Sequence, residues 1–239
     1  MSYPRSSIDR VGILRAPPTI GILKMRFLLL AGAMGPALFV TAVLIGASLR
    51  PDYDHTMQVM SALGATDSPN AILMNGLGFL PAGISIVVFG FSLFYFAPRS
   101  VLAFLGGFLV VIFGSGVFAA GVYSCDPGCV GAGTSHEAYL HIVASAVAFS
   151  SGILSCFVWG GAFRARPEWR SLSYFSFAAG LVSAGLLSAF NSASGTEAYP
   201  GIWQRLFIAS LFGWCAIVGV VSYRLASEPQ MGAENSTRI

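Results

Sequence analysis

Six long runs of mostly apolar residues, at 27–49, 71–97, 101–124, 138–163, 172–191 and 202–223, alternate with short polar connections along the chain. Each run has the roughly 20 residues that a helix needs to cross the hydrocarbon layer of a bilayer. Pro51, Pro69, Pro98, Pro127, Pro167 and Pro200 fall between the runs, where a missing amide proton does no harm. Pro36 and Pro81 fall inside runs and predict kinks. The pattern predicts an all-α fold, a polytopic transmembrane bundle of six helices over 25–226. Polar tails at 1–24 and 227–239 read as disordered cytoplasmic segments. The first run exceeds the 7–15 apolar residues of a signal-peptide core, so it reads as a span, and Met25 just before it is a second candidate start.

Composition strengthens this reading. Of 239 residues, 55% are hydrophobic and only 10% charged, and the mean hydropathy is +0.74. A soluble domain carries about 25% charged residues. The 28 Gly and 19 Phe suit helices that pack closely on one face and meet lipid on another. A net charge of +3, with dispersed basic residues that do not interleave with aromatics, argues against a nucleic-acid partner.

Orientation follows from the flanking cations, which insertion retains in the cytoplasm. Arg5, Arg10, Arg15, Lys24 and Arg26 precede the first run. Arg99 lies between the second and third, Arg164, Arg166 and Arg170 between the fourth and fifth, and Arg224 and Arg238 after the sixth. The remaining connections hold Asp52, Asp54, Asp67, Asp126, Glu137 and Glu197, with Arg50 and Arg205 as their only cations. Both termini are therefore expected inside, in a multi-pass protein of the cell membrane. On the outer, oxidising side, Cys125 and Cys129 suit a disulfide closing a tight loop. Their spacing also suits a metal pair, though no second cysteine pair completes a structural zinc site. Cys156 and Cys215 lie within runs and read as small packing residues.

Polar side chains inside a membrane are expensive, at least about 2.5 kcal/mol for a central charge, so their one-sided placement carries information. Asn75, His141, Asn191, Gln204 and Arg205 all lie at the outer ends of runs, and His55, His136, Asp54, Asp126 and Glu137 lie close to the same boundary. Glu137 and His141 are four apart and share a helical face, whereas His136 and His141 diverge by about 140°. That pair is a candidate general base, or part of a metal site if Asp126 or His55 folds in. Its plainer role is one helix-to-helix hydrogen bond from His141, with Glu137 in headgroup water. Arg205 is a candidate anion clamp, with Gln204 beside it, or a cation that snorkels to lipid phosphates. Thr56–Leu63 is expected to form a short interfacial helix over the outer mouth.

A run of short motifs resembles one family. The chain has Arg50-Pro51 and Tyr53 after the first run, then Ser61-Ala62-Leu63-Gly64, then Pro69-Asn70-Ala71 leading to Met74-Asn75. It continues with Cys125-Asp126-Pro127, His136 with Leu140-His141, Trp169-Arg170 and Gln204-Arg205. In this order they resemble the bacterial and archaeal integral membrane proteins grouped as domain of unknown function 998. The resemblance spans nearly everything from the first run to residue 225. It implies a six-helix bundle and a grouping of Asp126, His141 and Arg205, and it implies no activity or cofactor. Cys129 departs from the pattern, which makes the disulfide particular to this chain.

Two functional readings follow. In the first, Asp54, His55, Asn75, Asp126, His136, His141 and Arg205 line a site facing the outer leaflet that binds or processes a lipid or lipid-like molecule. As an enzyme it would use His141, Asp126, Glu137 and His136 for acid–base work and Arg205, Asn75, Gln204, Asp54 and His55 for binding. In the second, the chain is a non-catalytic scaffold whose outer polar residues are structural.

Overall fold

The computed structural model of the chain describes residues 26–96, 100–131 and 133–226. The expected tails, with Met25, Pro98 and Arg99, lie outside the described residues. Within them the fold is all-helical, with six helices long and apolar enough to cross a membrane: α1 (Arg26–Ser48), α2 (Ala71–Phe96), α3 (Val101–Val122), α4 (His136–Phe163), α5 (Pro167–Thr196) and α6 (Pro200–Leu225).

Local chemistry sets where each helix begins and ends. The Ser100 hydroxyl accepts from Ala103 N at 3.1 Å and starts α3, and Ser135 does the same for Ala138 N at 3.0 Å before α4. Because of that cap, the polar His136-Glu137 pair forms the first turn of α4 and is not part of the preceding loop. Glu137 there complements the positive end of the helix dipole. α5 runs to Thr196, beyond the apolar run, with the Ser194 and Thr196 hydroxyls folded back onto the Phe190 and Ser192 carbonyls.

Both internal prolines are accommodated inside their helices. α1 stays helical through Pro36 over Ala31–Ser48. In α2 the backbone widens to a π turn over Met74–Phe79, where Leu80 N bonds to Asn75 O five residues back, just ahead of Pro81. The helix expected over 56–63 is shorter than that. Val59 is extended, and only Met60–Gly64 winds, as a 3-10 turn.

Consecutive helices pack side by side, and α1 closes the ring against α6. Between membrane helices there is little hydrophobic driving force, so close van der Waals contact carries the packing. Gly83 and Gly114 make a tight crossing between α2 and α3: a Cβ on Gly114 would lie 2.7 Å from both Gly83 O and Val87 N. Phe39 fills the centre, edge-on to Phe79 at 5.1 Å and to Phe212 at 5.3 Å. At the end near Trp169, Trp159 stacks on Phe163 at 5.0 Å and Phe163 on Trp169 at 5.3 Å. α5 is the least buried helix, with 28% of its apolar window covered against 56% for α2. α4 and α6 scarcely touch, so a space opens between them in front of α5.

Replacing Gly114 by Val forces α2 and α3 apart. The expected cost is about 1–3 kcal/mol, as for overpacked cores, read as a lowered thermal midpoint of the detergent-extracted protein. An unchanged midpoint would mean that this crossing does not set the bundle's geometry.

Candidate functional site

The polar residues singled out from the sequence lie at one end of the bundle, and most of them are bonded to the protein itself. Arg205 projects from the second turn of α6 beneath the connection between α1 and α2. Its guanidinium donates to Gln58 O at 2.9 Å, to Gly201 O at 2.9 Å and to Tyr53 Oη at 2.7 Å, and lies 3.2 Å from His55 Nδ1. Tyr53 lies under the guanidinium, with the cation 5.6 Å from the ring centroid. Burial raises the Tyr53 pKa, and the adjacent Arg205 charge opposes that shift. Gln204 Oε1 accepts from Met60 N at 2.6 Å, and Ile202 N reaches Thr56 O at 3.2 Å. Gly201 allows the approach, because a Cβ there would sit 2.6 Å from the carbonyls of His55 and Gln58. Arg50 donates to Ala62 O at 3.2 Å and pairs with Asp52 at 3.5 Å. Both cations of this end are thus spent on loop carbonyls.

The same holds for several of the other candidates. Asp54 closes its own turn, accepting from Thr56 N and the Thr56 hydroxyl, each at 2.7 Å, and these bonds lower its pKa. Asn75, in the π turn, donates to Gly64 O at 3.0 Å and to Ser124 Oγ at 3.1 Å, joining the loop, α2 and the end of α3. Asp126 Oδ2 accepts from the Thr134 amide and hydroxyl and from Ser135 N. The Ser135 hydroxyl, then the Thr134 and Ser135 amides, hold the Asp126 carboxyl down to about 2.

Cys125 and Cys129 form a disulfide around Asp126-Pro127-Gly128. Gly128 and Cys129 carry positive φ in that turn. A ring nitrogen of His141 and the two sulfurs lie within 4.8 Å of one another. His141 is 5% exposed, and its Nδ1 lies 2.9 Å from both Ala120 O and Tyr123 O at the end of α3. Carbonyls only accept, so Nδ1 carries a proton, and Nε2 has no hydrogen-bond partner among the described residues. The expected Glu137–His141 pair does not form. Glu137 is exposed and points away, and among the described residues it makes no hydrogen bond or ion pair. His136 is exposed as well, stacked on Tyr139.

Between α4, α5 and α6, roofed by the Met57–Ser61 stretch and flanked by the cysteine loop, lies a half-open cleft of about 730 Å³. Ile142, Phe149, Leu187 and Phe190 give it apolar walls, and His141, Gln204, Asn191 and Ser145 supply polar points. Among the described residues that line it, Glu197 is the only carboxylate and none is a Lys or Arg. Of the predicted site, His141, Gln204 and Cys129 reach this cleft. Arg205, Asp126, Asn75, Asp54, His55, His136 and Glu137 do not line it, and the implied grouping of Asp126, His141 and Arg205 is not one cluster of contacts. Sequence reading missed Phe149, Phe190 and Leu187 because they look like ordinary span residues. The signal available was the polar character of α5 after Ser188.

The architecture defines a multi-pass, all-helical membrane protein with a cleft at one end of its bundle. The chain belongs to the family described as protein of unknown function DUF998, which matches residues 33–221. No curated protein matches the chain, and no solved structure does. The motifs that carry the resemblance meet in space: Tyr53 with Arg205, and Asn75 with Gly64.

Neither Lys nor Ala can replace the forked donation of Arg205. Both substitutions are expected to lower stability by roughly 2–3 kcal/mol, the scale of lost charge-assisted bonds, read as the thermal midpoint. An anion clamp would instead leave the midpoint unchanged. For Asp126, a depressed carboxylate pKa stabilises above the unfolded value and ceases to do so as the acid form fills. The deficit of Asp126→Asn against wild type is therefore expected to be full above the ordinary value of 3.8 and to close as pH falls through about 2, measured as thermal midpoint against pH.

Proposed function

We propose that this protein binds an amphipathic small molecule, a lipid or lipid-like compound, in the cleft between α4, α5 and α6. The single observation that carries this reading is the cleft itself, a half-open space of about 730 Å³ with apolar walls and a few hydrogen-bonding groups at one end. Ligand sites generally have volumes of about 300–1,000 Å³ and that mixture of surfaces. The head of the ligand would sit under the Met57–Ser61 roof, where His141 Nε2 accepts and the Gln204 amide donates. Its tail would lie along Ile142 and Leu187 toward the open side. With Glu197 as the only charge on the lining, the site favours a neutral or cationic head over an anionic one. In the cell membrane, with the orientation expected from the flanking cations, this end faces the outer leaflet.

Arg205, Asp126, Asn75 and Asp54 take structural roles in this reading, since their polar atoms are engaged by the protein's own backbone. They build and hold the roof, and the roof shapes the cleft.

Native mass spectrometry of the gently extracted protein tests this with diacylglycerol, phosphatidylcholine and phosphatidylglycerol as probes. Retention of the first two above phosphatidylglycerol is expected, along with at least about a tenfold loss of affinity, or ~1.4 kcal/mol, in Ala146→Trp, which fills the cleft. Equal adducts in wild type and a well-folded Ala146→Trp, or a preference for phosphatidylglycerol, would contradict it.

A further inference from the structure

The disulfide lies where a merely structural bridge has no need to be. Cys129 is half-buried and lines the cleft, while Cys125 behind it is 4% exposed. His141, also buried, brings a ring nitrogen within 4.8 Å of both sulfurs. Its Nδ1 proton is committed to two carbonyls, and its Nε2 has no partner among the described residues. The neighbours of the ring are the Phe79 ring, the Ala120 and Tyr123 carbonyls, the two sulfurs and, across the cleft, the Gln204 amide. No carboxylate or cation among the described residues bonds to it. A buried imidazole with an unpartnered Nε2 beside a cleft-facing disulfide suits thiol–disulfide exchange, because the thiolate is the nucleophile and a nearby base raises its share.

The loop that carries the bridge is also held by other bonds. Thr66 N bonds to Cys125 O at 3.0 Å, Cys129 N to Asp126 O at 2.8 Å, and Gly128 N to Asp67 Oδ1 at 3.3 Å. The Asp126 bonds to Thr134 and Ser135 add to these.

We propose that Cys125–Cys129 is an exchangeable redox pair and that His141 is the acid–base group for its reaction with a dithiol entering the cleft. The first thiol of the dithiol gives its proton to His141 Nε2, and its sulfur attacks Cys129 Sγ. A substrate–Cys129 bond forms and the Cys125–Cys129 bond breaks, with the electron pair leaving on Cys125 beside the imidazolium, which returns the proton to it. The second substrate thiol, deprotonated at the same nitrogen, attacks the substrate sulfur of the mixed disulfide, and Cys129 leaves and takes that proton. The dithiol departs as a disulfide, oxidised by two electrons, and the protein holds two thiols. Reverse exchange with a disulfide restores the starting state.

The probe is dithiothreitol with its oxidised form as a redox buffer, applied to the full chain in detergent. Samples are quenched in acid, denatured and alkylated with a maleimide, and adducts are counted by intact mass. Reversible passage from two adducts to four, with helical circular dichroism and thermal midpoint retained, is the expected result. His141→Asn keeps an N–H for the two carbonyls and lacks the base, so it should slow exchange about tenfold or more at neutral pH without loss of the midpoint. Four adducts appearing only on unfolding would overturn the proposal. So would a well-folded His141→Asn that exchanges at the wild-type rate, and the wild-type adduct count stands as a readout even if the variant fails to fold.

Discussion

A guanidinium placed in the second turn of a membrane helix must find acceptors, either in lipid headgroups by snorkelling or in the protein itself. Arg205 solves this with the carbonyls of Gln58 and Gly201 and the hydroxyl of Tyr53, and the rest of this end of the bundle follows from that solution. Tyr53 in turn donates to Val59 O at 3.0 Å, which sets the course of the chain into the Met60–Gly64 turn. Gly201 lets that chain come close enough, and Gln204 takes the Met60 amide. A connection that would otherwise wander over the membrane surface is thereby fixed as a roof above the space between α4 and α6.

That space exists because two packing rules apply at once. Glycine and alanine contacts draw α2, α3 and α4 tightly together: Gly83 meets Gly114, and a Cβ on Gly116 would lie 2.8 Å from Ala144 O. α5 lacks comparable contacts on its far end and turns polar after Ser188, so it stands off and leaves α4 and α6 apart. The cleft is then bounded on one side by a close-packed wall and on the other by the most exposed helix of the bundle. The site proposed for an amphipathic molecule lies here, and His141 with the Cys125–Cys129 bridge stands at its edge.

Hydropathy made the number and position of the spans legible, with the fifth five residues short at each end, because crossing a bilayer imposes a length and a polarity that local sequence must meet. Helix ends were less legible wherever a hydroxyl carried the helix past the apolar run, as at Ser135 and Thr196. The polar end of the bundle could also be read from the sequence, but the duty of each residue there was not. Arg205, Asp126 and Asn75 look the same in a sequence whether they face a ligand or their own backbone, and only the folded path of 50–64 decides it. Conversely, Phe149 and Phe190 carry no mark of a cleft, since an aromatic residue in a span reads as lipid-facing or core. The Glu137–His141 spacing satisfied helical periodicity, yet His141 turns inward to the end of α3 and Glu137 outward, so shared face did not become contact.

Hydrogen exchange of the Tyr53–Gly64 segment, compared between wild type and Arg205→Ala in the same detergent, tests most directly whether one guanidinium holds the roof. The account predicts protected amides at Gln58 and Met60 in wild type, each bonded at under 3 Å, and their release in the variant while α2 and α3 stay protected. Equal protection of the segment in both proteins would contradict it.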